Sequence, residues 1–406
     1  MAAPIVFVGD DFTGASDTLA TYARRGLRTR LLTRPVAQED DLDALGVATD
    51  LRSLSPEKAG AVVDRLWPVI AAADPRVLHF KVCSTFDSAP GVGSIGAVAA
   101  RLSALFAPDV TAVIGGQPSL GRYCAFGTLF ARGPDGGVHR IDRHPVMARH
   151  PVTPMHEADL LRHLAAQGLA PLARITVPEL TDPARVADRL CAGPALVDVM
   201  REDDQALIRS ALEMAGGRQL LIGASSVAEI LGGAPGATGH AAPAPPEGAL
   251  LVFAGSRSSV TAAQVAAAHG FKRVCLAPET LEDPRAAQHL AARIAGPRPL
   301  LVHLDPDADY KRNPDRLADD CARLVAKIAD RVPLRGLGLA GGDTSSRIVA
   351  RLGFDALDYL GDMGQGACIC LGRHADPARD AMRVMLKGGQ MGARDLFDRF
   401  ADRVPA

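Results

Sequence analysis

Ile5-Val-Phe-Val-Gly-Asp-Asp-Phe-Thr-Gly-Ala-Ser-Asp17 passes from an unbroken apolar run into two carboxylates, then into small residues and a helical pattern. Four apolar residues in a row predict a strand over 5–8 that is covered on both faces, as strands of parallel sheets are. Leu19, Tyr22 and Ala23 then recur at i, i+3 and i+4 after Gly14, which predicts a helix directly behind the strand. A strand, a short polar loop and a helix form the repeating step of an α/β fold. Met1-Ala-Ala-Pro precedes the run without a basic residue, so this reads as a first strand and not as a secretion signal.

The same alternation continues along the chain. Short β-branched runs predict strands over 29–32, 77–82, 112–114, 195–198 and 220–222, and then over 250–253, 273–276, 300–304, 337–339, 368–371 and 384–386. Leu324, Ile328 and Val332 mark a second helical face, and Thr153-Pro154 with Glu157 predicts a helix start. Residues 232–248 are Gly, Pro and Ala with almost no large apolar side chain, and they read as an interdomain linker. The expected organisation is therefore two α/β domains, 1–231 and 249–406, joined by 232–248. Each has a largely parallel sheet flanked by helices, with the active site in the cleft between them.

Composition removes several functions. Lys+Arg is 45 against Asp+Glu 46, a formal net charge of −1, so no bulk field favours nucleic acid or an anionic membrane. Aromatic residues make up 4%, too few for base-stacking platforms. Apolar runs reach about eight residues, against the roughly 20 that a membrane span needs. Seven scattered cysteines, an odd number without a Cys-x-x-Cys pair, speak for reduced thiols and a cytoplasmic protein. Cys368 and Cys370 fall on one face of an apolar strand, as core residues do.

In open α/β sheets ligands bind beyond the carboxyl ends of strands. Asp10 and Asp11 repel each other there unless a cation or several donors share them. The alternative is one acid capping the helix and the other in solvent. Thr13, Asp17, Thr21 and Arg24 extend the polar character along the helix. Lys81, close to a strand end and followed by Ser84 and Thr85, suits a carboxylate ligand, with a salt bridge to Asp87 or Asp10 as the structural alternative. Gly115-Gly-Gln-Pro-Ser-Leu-Gly-Arg122 nearly matches a phosphate loop, but Arg122 and Tyr123 replace the lysine and the hydroxyl, leaving Arg122 as a carboxylate clamp. In the second half, Gly255-Ser256-Arg-Ser258, Gly341-Gly342-Asp343-Thr344-Ser345 and Lys387-Gly388-Gly389 each follow a strand. Glycines admit a phosphate close to the backbone there, and the following N–H groups face it.

Two strings match Gly-x-Gly-x-x-Gly, at 91–96 and 336–341, but neither sits directly between a strand and a helix as a dinucleotide fingerprint requires. His144, His150 and His156 recur every six residues without metal-ligand spacing, and His144 and His150 precede prolines.

Taken together and in this order, these segments resemble the four-carbon acid sugar kinase family. The motifs are Asp10-Asp-Phe-Thr-Gly-Ala15, Lys81-Val-Cys-Ser-Thr-Phe-Asp-Ser88, His150-Pro-Val-Thr-Pro-Met155, Gly255-Ser-x-Ser258, Gly341-Gly-Asp-Thr344 and Lys387-Gly-Gly389. The resemblance spans nearly the whole chain and implies an N-terminal acid-sugar domain and a C-terminal ATP domain. The implied reaction moves the γ-phosphoryl group of ATP, with Mg2+, to the terminal hydroxyl of threonate, erythronate or an oxo-tetronate.

On that reading Asp10, Asp11, Thr13, Asp17, Arg24, Lys81, Ser84, Thr85 and Arg122 serve the sugar acid. Ser256, Ser258, Gly341, Gly342, Asp343, Thr344, Ser345, Lys387, Gly388 and Gly389 serve ATP. Asp343 is the expected proton acceptor and magnesium ligand, with Asp11 next in line. The chain departs from the family pattern at 115–119, at 361–366 and at Gln390-Met391. A non-catalytic acid-sugar-binding regulator, a dinucleotide-dependent oxidoreductase and a phosphatase are the competing readings, with homo-oligomerisation open.

Overall fold

The computed structural model describes residues 4–36, 41–149, 153–233, 243–294, 296, 298–364 and 366–404. Most of the 232–248 segment and residues 150–152 of the histidine-proline motif lie outside the described residues. The chain forms two compact units: Met1–Thr29 with Pro35–Thr238, and Arg30–Arg34 with Gly239–Ala406.

In the first unit the parallel strands follow the order Ala44–Ala48, Ile5–Gly9, Val77–Lys81, Gln219–Gly223, Val110–Gly115, Ala195–Asp198, Ala173–Ile175. From Ile5–Gly9 the chain steps to Ala44–Ala48 on one side, then returns to Val77–Lys81 on the other. This reversal is a topological switch point, the place where such sheets receive ligands, and there Gly9 lies opposite Lys81 in register. Asp11 caps the helix Phe12–Arg24 through a 2.6 Å bond from the Gly14 N–H to Oδ1. A separate antiparallel ribbon holds Arg122–Ala125, Thr128–Arg132 and Val138–Arg140.

The second unit orders its parallel strands Lys272–Leu276, Leu300–Leu304, Ala249–Ala254, Leu334–Ala340, Arg383–Lys387. Ala367–Arg373 and Ala356–Gly364 continue the sheet in antiparallel sense. Here the switch point falls between Ala249–Ala254 and Leu334–Ala340. Val252, Met385, Phe397 and Phe400 meet in the core beneath it.

The expected strands are all present, several of them longer than the apolar runs suggested. Ala44–Ala48 has no counterpart among the expectations because Gly46 interrupts its apolar run. A Cβ at Gly46 would lie 2.1 Å from the Phe7 ring, so the glycine makes room for that side chain. The helix expected at Thr153-Pro154 is a correction. The helix is Leu160–Ala165, and Asp159 caps it by accepting from the Leu161 and Arg162 N–H groups. Thr153 is buried instead, its hydroxyl 3.4 Å from Asp87 Oδ2. Val332 lies beyond the end of its helix, Pro314–Ala329.

Neither Gly-x-Gly-x-x-Gly string is a dinucleotide loop. Gly338 lies inside a strand against Val252 and Phe400, and a Cβ at Gly96 would stand 2.3 Å from the Gln167 carbonyl. The glycines are packing positions. Among the described residues all seven cysteines are free, and no helix is long and apolar enough to cross a membrane.

Residues 30–34 belong to the second unit although their sequence neighbours belong to the first. Arg30, Leu31 and Leu32 pair with Asp358, Leu357 and Ala356 in antiparallel register. Arg30 grips Asp358 with two bonds, Nε to Oδ1 at 2.6 Å and Nη2 to Oδ2 at 3.0 Å, and Arg373 Nε adds a third at 2.7 Å. Asp358→Ala leaves two guanidinium groups facing each other in a half-buried site and should cost about 2 kcal/mol. Thermal unfolding should show the transition of the second unit lowered by several degrees, with Asp358→Asn intermediate. An unchanged transition would remove this strand's anchor from the account.

Candidate functional site: two cradles at strand ends

Asp10 and Asp11 are reconciled by a residue that the sequence reading did not single out. Arg52, which follows the Ala44–Ala48 strand, donates Nε to Asp10 Oδ2 at 3.0 Å and Nη2 to Asp10 Oδ1 at 2.9 Å. Its Nη1 reaches Asp11 Oδ2 at 2.9 Å, and its backbone N–H donates to the Asp10 carbonyl. One planar fork thus serves both acids. Burial pushes the Asp10 carboxyl above its ordinary range, and Arg52 works against that shift. Asp11 does act as a helix cap, while Asp10 is buried and paired rather than solvated.

Lys81 is buried beside this group and donates to the Val82 carbonyl at 2.7 Å. A Cβ on Gly14 would stand 2.6 Å from Lys81 Nζ, so the ammonium rests against the first turn of Phe12–Arg24, and the missing side chain admits it. Among the described residues Lys81 forms no salt bridge. Thr85 donates to Asp87 Oδ1 at 2.5 Å, while the Ser84 and Thr13 hydroxyls are half-buried and without a partner among the described residues. Behind the loop, His163 and Gln167 converge on Ser88 at 2.9 and 2.8 Å and hold the 83–88 turn in place.

Arg122 begins the ribbon. Its Nη1 donates to the Leu120 carbonyl at 2.6 Å, and its buried Nε has no partner among the described residues. Burial lowers its pKa, with Cys83 the counteracting neighbour. The 117–121 turn that presents it is nailed down by Glu229, which accepts from Gln117 Nε2 at 3.1 Å and Ser119 Oγ at 2.6 Å. The turn leads into a ribbon, not a helix, so it is no phosphate loop.

Asp17 accepts from Ser225 Oγ at 2.5 Å, just past the Gln219–Gly223 strand. Arg24 is not brought to this group. It is exposed in the last turn of its helix, at about 1.5 Å per residue some 18 Å from the first turn, with Nη2 on the Thr21 hydroxyl. Asp17, Thr21 and Arg24 do share a helix face at spacings of four and seven, but that face runs away from the strand ends. His144 organises its own loop, accepting from the Val146 and Met147 N–H groups.

In the second unit three neighbouring strands end in the three glycine loops. The Gly255 and Ser256 N–H groups both donate to the Ala340 carbonyl, and the Gly341 N–H to that of Lys387. Gly341 has φ +116° with Ser256 N 3.0 Å from where its Cβ would lie, while a Cβ on Gly389 would meet Ser256 Oγ at 2.7 Å. Ser256 therefore sits where all three loops touch. Ser258 donates to the Gly389 carbonyl at 2.5 Å, Ser345 to the Gly341 carbonyl at 2.5 Å, and Thr344 packs on Gly255. Gly342 and Asp343 open the helix Gly342–Leu352, and Asp343 is exposed there, with no ion pair among the described residues. Gly388 leads into a loop whose helix starts only at Leu396, and Lys387 is turned inward to Thr261 and Gln264.

Residues 5–231 match a sugar-binding N-terminal domain and residues 251–397 a nucleotide-binding C-terminal domain. A 3-oxo-isoapionate kinase of Paraburkholderia graminis is 35% identical, covering 97% of this chain and 93% of that protein. The chain belongs to the four-carbon acid sugar kinase family. A second member, a 3-oxo-tetronate kinase of Methylobacterium radiotolerans, is 32% identical over 97% of this chain and 98% of its own. The family fold is seen in a Salmonella typhimurium protein described as a tRNA synthase, with TM-score 0.83, 22% identity and full coverage of both chains. A Haemophilus influenzae protein gives 0.77 at 24% identity, with 97% of this chain and 98% of that one covered. This family member is an acid sugar kinase, with a sugar-binding and a nucleotide-binding half.

Arg52 gives a test of the first unit's cradle. Arg52→Ala strands two carboxylates and should cost about 3 kcal/mol. Without the guanidinium, burial and the neighbouring Asp11 charge raise the Asp10 pKa against Lys81 alone, so the folded chain holds that proton to higher pH than the unfolded chain does. The stability this proton brings is present in acid and is lost as pH rises through the folded value. Urea unfolding should therefore show a larger deficit at pH 8 than at pH 5. A deficit independent of pH would mean that Asp10 is not the group left exposed to this penalty.

Proposed function

We propose that this chain transfers the γ-phosphoryl group of ATP to the terminal hydroxyl of a short oxidised sugar acid of the 3-oxo-tetronate and 3-oxo-isoapionate type. The observation that carries the sugar side is the charge arrangement at the first switch point. Asp10, Asp11 and Asp87 are matched by Arg52, Lys81 and Arg122, and the Arg122 Nε lacks a partner among the described residues. A carboxylate ligand fits the donors that Lys81 and Arg122 keep unspent. Lys81 keeps two N–H bonds beyond the one given to Val82, and together with Arg122 it holds the carboxylate. The Thr13 and Ser84 hydroxyls, with no partner among the described residues, meet the sugar hydroxyls, as do the remaining lone pairs of Asp10 and Asp11 and the Thr85 oxygen, whose proton goes to Asp87.

On the nucleotide side, Ser256, Ser258, Gly341, Gly342, Thr344, Ser345, Gly388 and Gly389 line the phosphates. Phosphoryl transfer asks the protein for alignment and charge neutralisation more than for covalent chemistry. Asp343 takes the proton of the attacking hydroxyl. Asp11 is the weaker candidate, since Arg52 and the Gly14 N–H already occupy both of its oxygens.

Magnesium bound with a nucleotide needs one or two carboxylates and takes its other ligands from phosphate and water. The exposed Asp343 carboxylate fits that need, and the described residues hold no cluster of three or more metal-ligating side chains. The ion, when bound, neutralises charge on the phosphate oxygens.

ADP release from ATP should appear with 3-oxo sugar acids and not with neutral sugars of the same length. Lys81→Ala should raise KM for the sugar acid about tenfold or more with KM for ATP unmoved. Asp343→Asn should lower kcat by about 10²–10⁴ with ATP binding nearly intact. A rise in the magnesium requirement of Asp343→Asn would assign the residue to the metal instead of the proton. A normal sugar-acid KM in Lys81→Ala removes that lysine from the carboxylate.

A further inference from the structure

Lys387 ends a parallel strand as a buried cation, and its three contacts are all internal. Nζ donates to Gln264 Oε1 at 2.6 Å, to Thr261 Oγ1 at 2.8 Å and to the Gly389 carbonyl at 3.3 Å. Thr261 gives its own proton to that same carbonyl at 2.9 Å, so its oxygen is left to accept. An ammonium has three N–H bonds, and here three acceptors take them. Little donor capacity is left for a phosphate.

Gln264 carries the other half of the arrangement. Its Nε2 has two N–H bonds and shares them among the carbonyls of Met391, Gly392 and Ala393, which lie at 3.0, 3.0 and 2.9 Å. Four loop carbonyls, those of Gly389, Met391, Gly392 and Ala393, are thus drawn toward the helix Ser259–Ala267. In a planar trans peptide the C=O and the following N–H point in opposite directions. Pulling those carbonyls inward turns the N–H groups of Gln390, Gly392, Ala393 and Arg394 outward. A row of N–H groups facing one way is an anion-binding surface.

We propose that Gln264 and Lys387 are positioning residues that lock the 388–394 loop with its carbonyls inward, making the N–H groups of Gln390, Gly392, Ala393 and Arg394 a phosphate-binding strip. Lys387 acts through the loop and not as the counter-ion of the phosphate. The inference rests on the nucleotide reading above and adds to it the residues that shape this part of the site.

The two residues work as one device, so their effects on nucleotide affinity should not add. Calorimetric titration with ADP should show a loss of about tenfold for Gln264→Leu and for Lys387→Met. The double variant should be no more than about twofold weaker than the worse single one. KM for ATP should follow the same pattern, with kcat falling far less. Gln264→Glu keeps the acceptor that Lys387 uses but removes the amide donor, so it should hold its fold and still lose affinity about as much as the leucine variant.

Losses that multiply in the double variant would overturn the proposal, as would full affinity in Gln264→Glu. If Lys387→Met alone weakened ADP, the lysine would be a direct phosphate ligand. A wild-type protein that binds no nucleotide overturns the functional reading and this one with it. A wild type that binds, with unaffected variants, overturns this one alone.

Discussion

Carboxylates at the end of a buried strand cannot stand next to each other without a partner, and the first unit is arranged around that fact. Arg52 sits between Asp10 and Asp11 with both acids in its fork. The fork places the end of the Ala44–Ala48 strand beside the end of Ile5–Gly9, and it ties the backbone of Asp10 as well as its side chain. With the acids held, Asp11 remains free on one oxygen to start the helix, and Lys81 can approach across Gly14 without being captured by a salt bridge among the described residues. Removing any of these groups changes the charge that the others meet.

The second unit solves a related problem with less charge. Its loops are mostly glycine, serine and threonine, and the buried Lys387 ammonium beneath them is consumed by a glutamine, a threonine and a carbonyl. On the proposed reading, backbone dipoles face the phosphates there in place of side-chain charges. The proposed function has a chain with 45 basic and 46 acidic residues hold two anions, which asks for the orientation of a few groups and not for a net positive sum. The two cradles differ in the way that the two proposed ligands do. A sugar acid offers one carboxylate and several hydroxyls, which favours mixed charges, whereas a polyphosphate suits a row of N–H groups.

Much of this is legible in the sequence. Apolar runs mark the strands, and in an α/β sheet the polar residues just beyond them mark the site, which is how Asp10, Lys81, Arg122 and the three glycine loops come to notice. Arg52 escaped because it lies 42 positions from Asp10, behind a strand whose apolar run contains Gly46. The adjacent acids did require a cation, but no local rule says where along the chain it comes from. Lys387 shows another limit: sequence places a lysine at a strand end, while only packing decides whether its ammonium faces a ligand or the protein. Arg24 shows a third, since helical spacing gives a shared face but not which end of it reaches the sheet. Thr153 was misread because a capping pattern looks the same when the hydroxyl is needed elsewhere.

The strand at residues 30–34 changes how the chain can be divided. Family matches and the Gly/Pro stretch both suggest that the nucleotide-binding half begins near 250, yet its sheet uses a segment encoded more than two hundred residues earlier. A fragment started at 249 would present Ala356–Gly364 with one side of its backbone unpaired, together with an Asp358 deprived of Arg30. Open strand edges of this kind recruit other chains. Ribosomal synthesis meets the same arrangement in reverse, because the early segment must wait for most of the polypeptide to emerge before its partner strand exists. Exchange of halves between related proteins would succeed only if residues 30–34 travel with the later half.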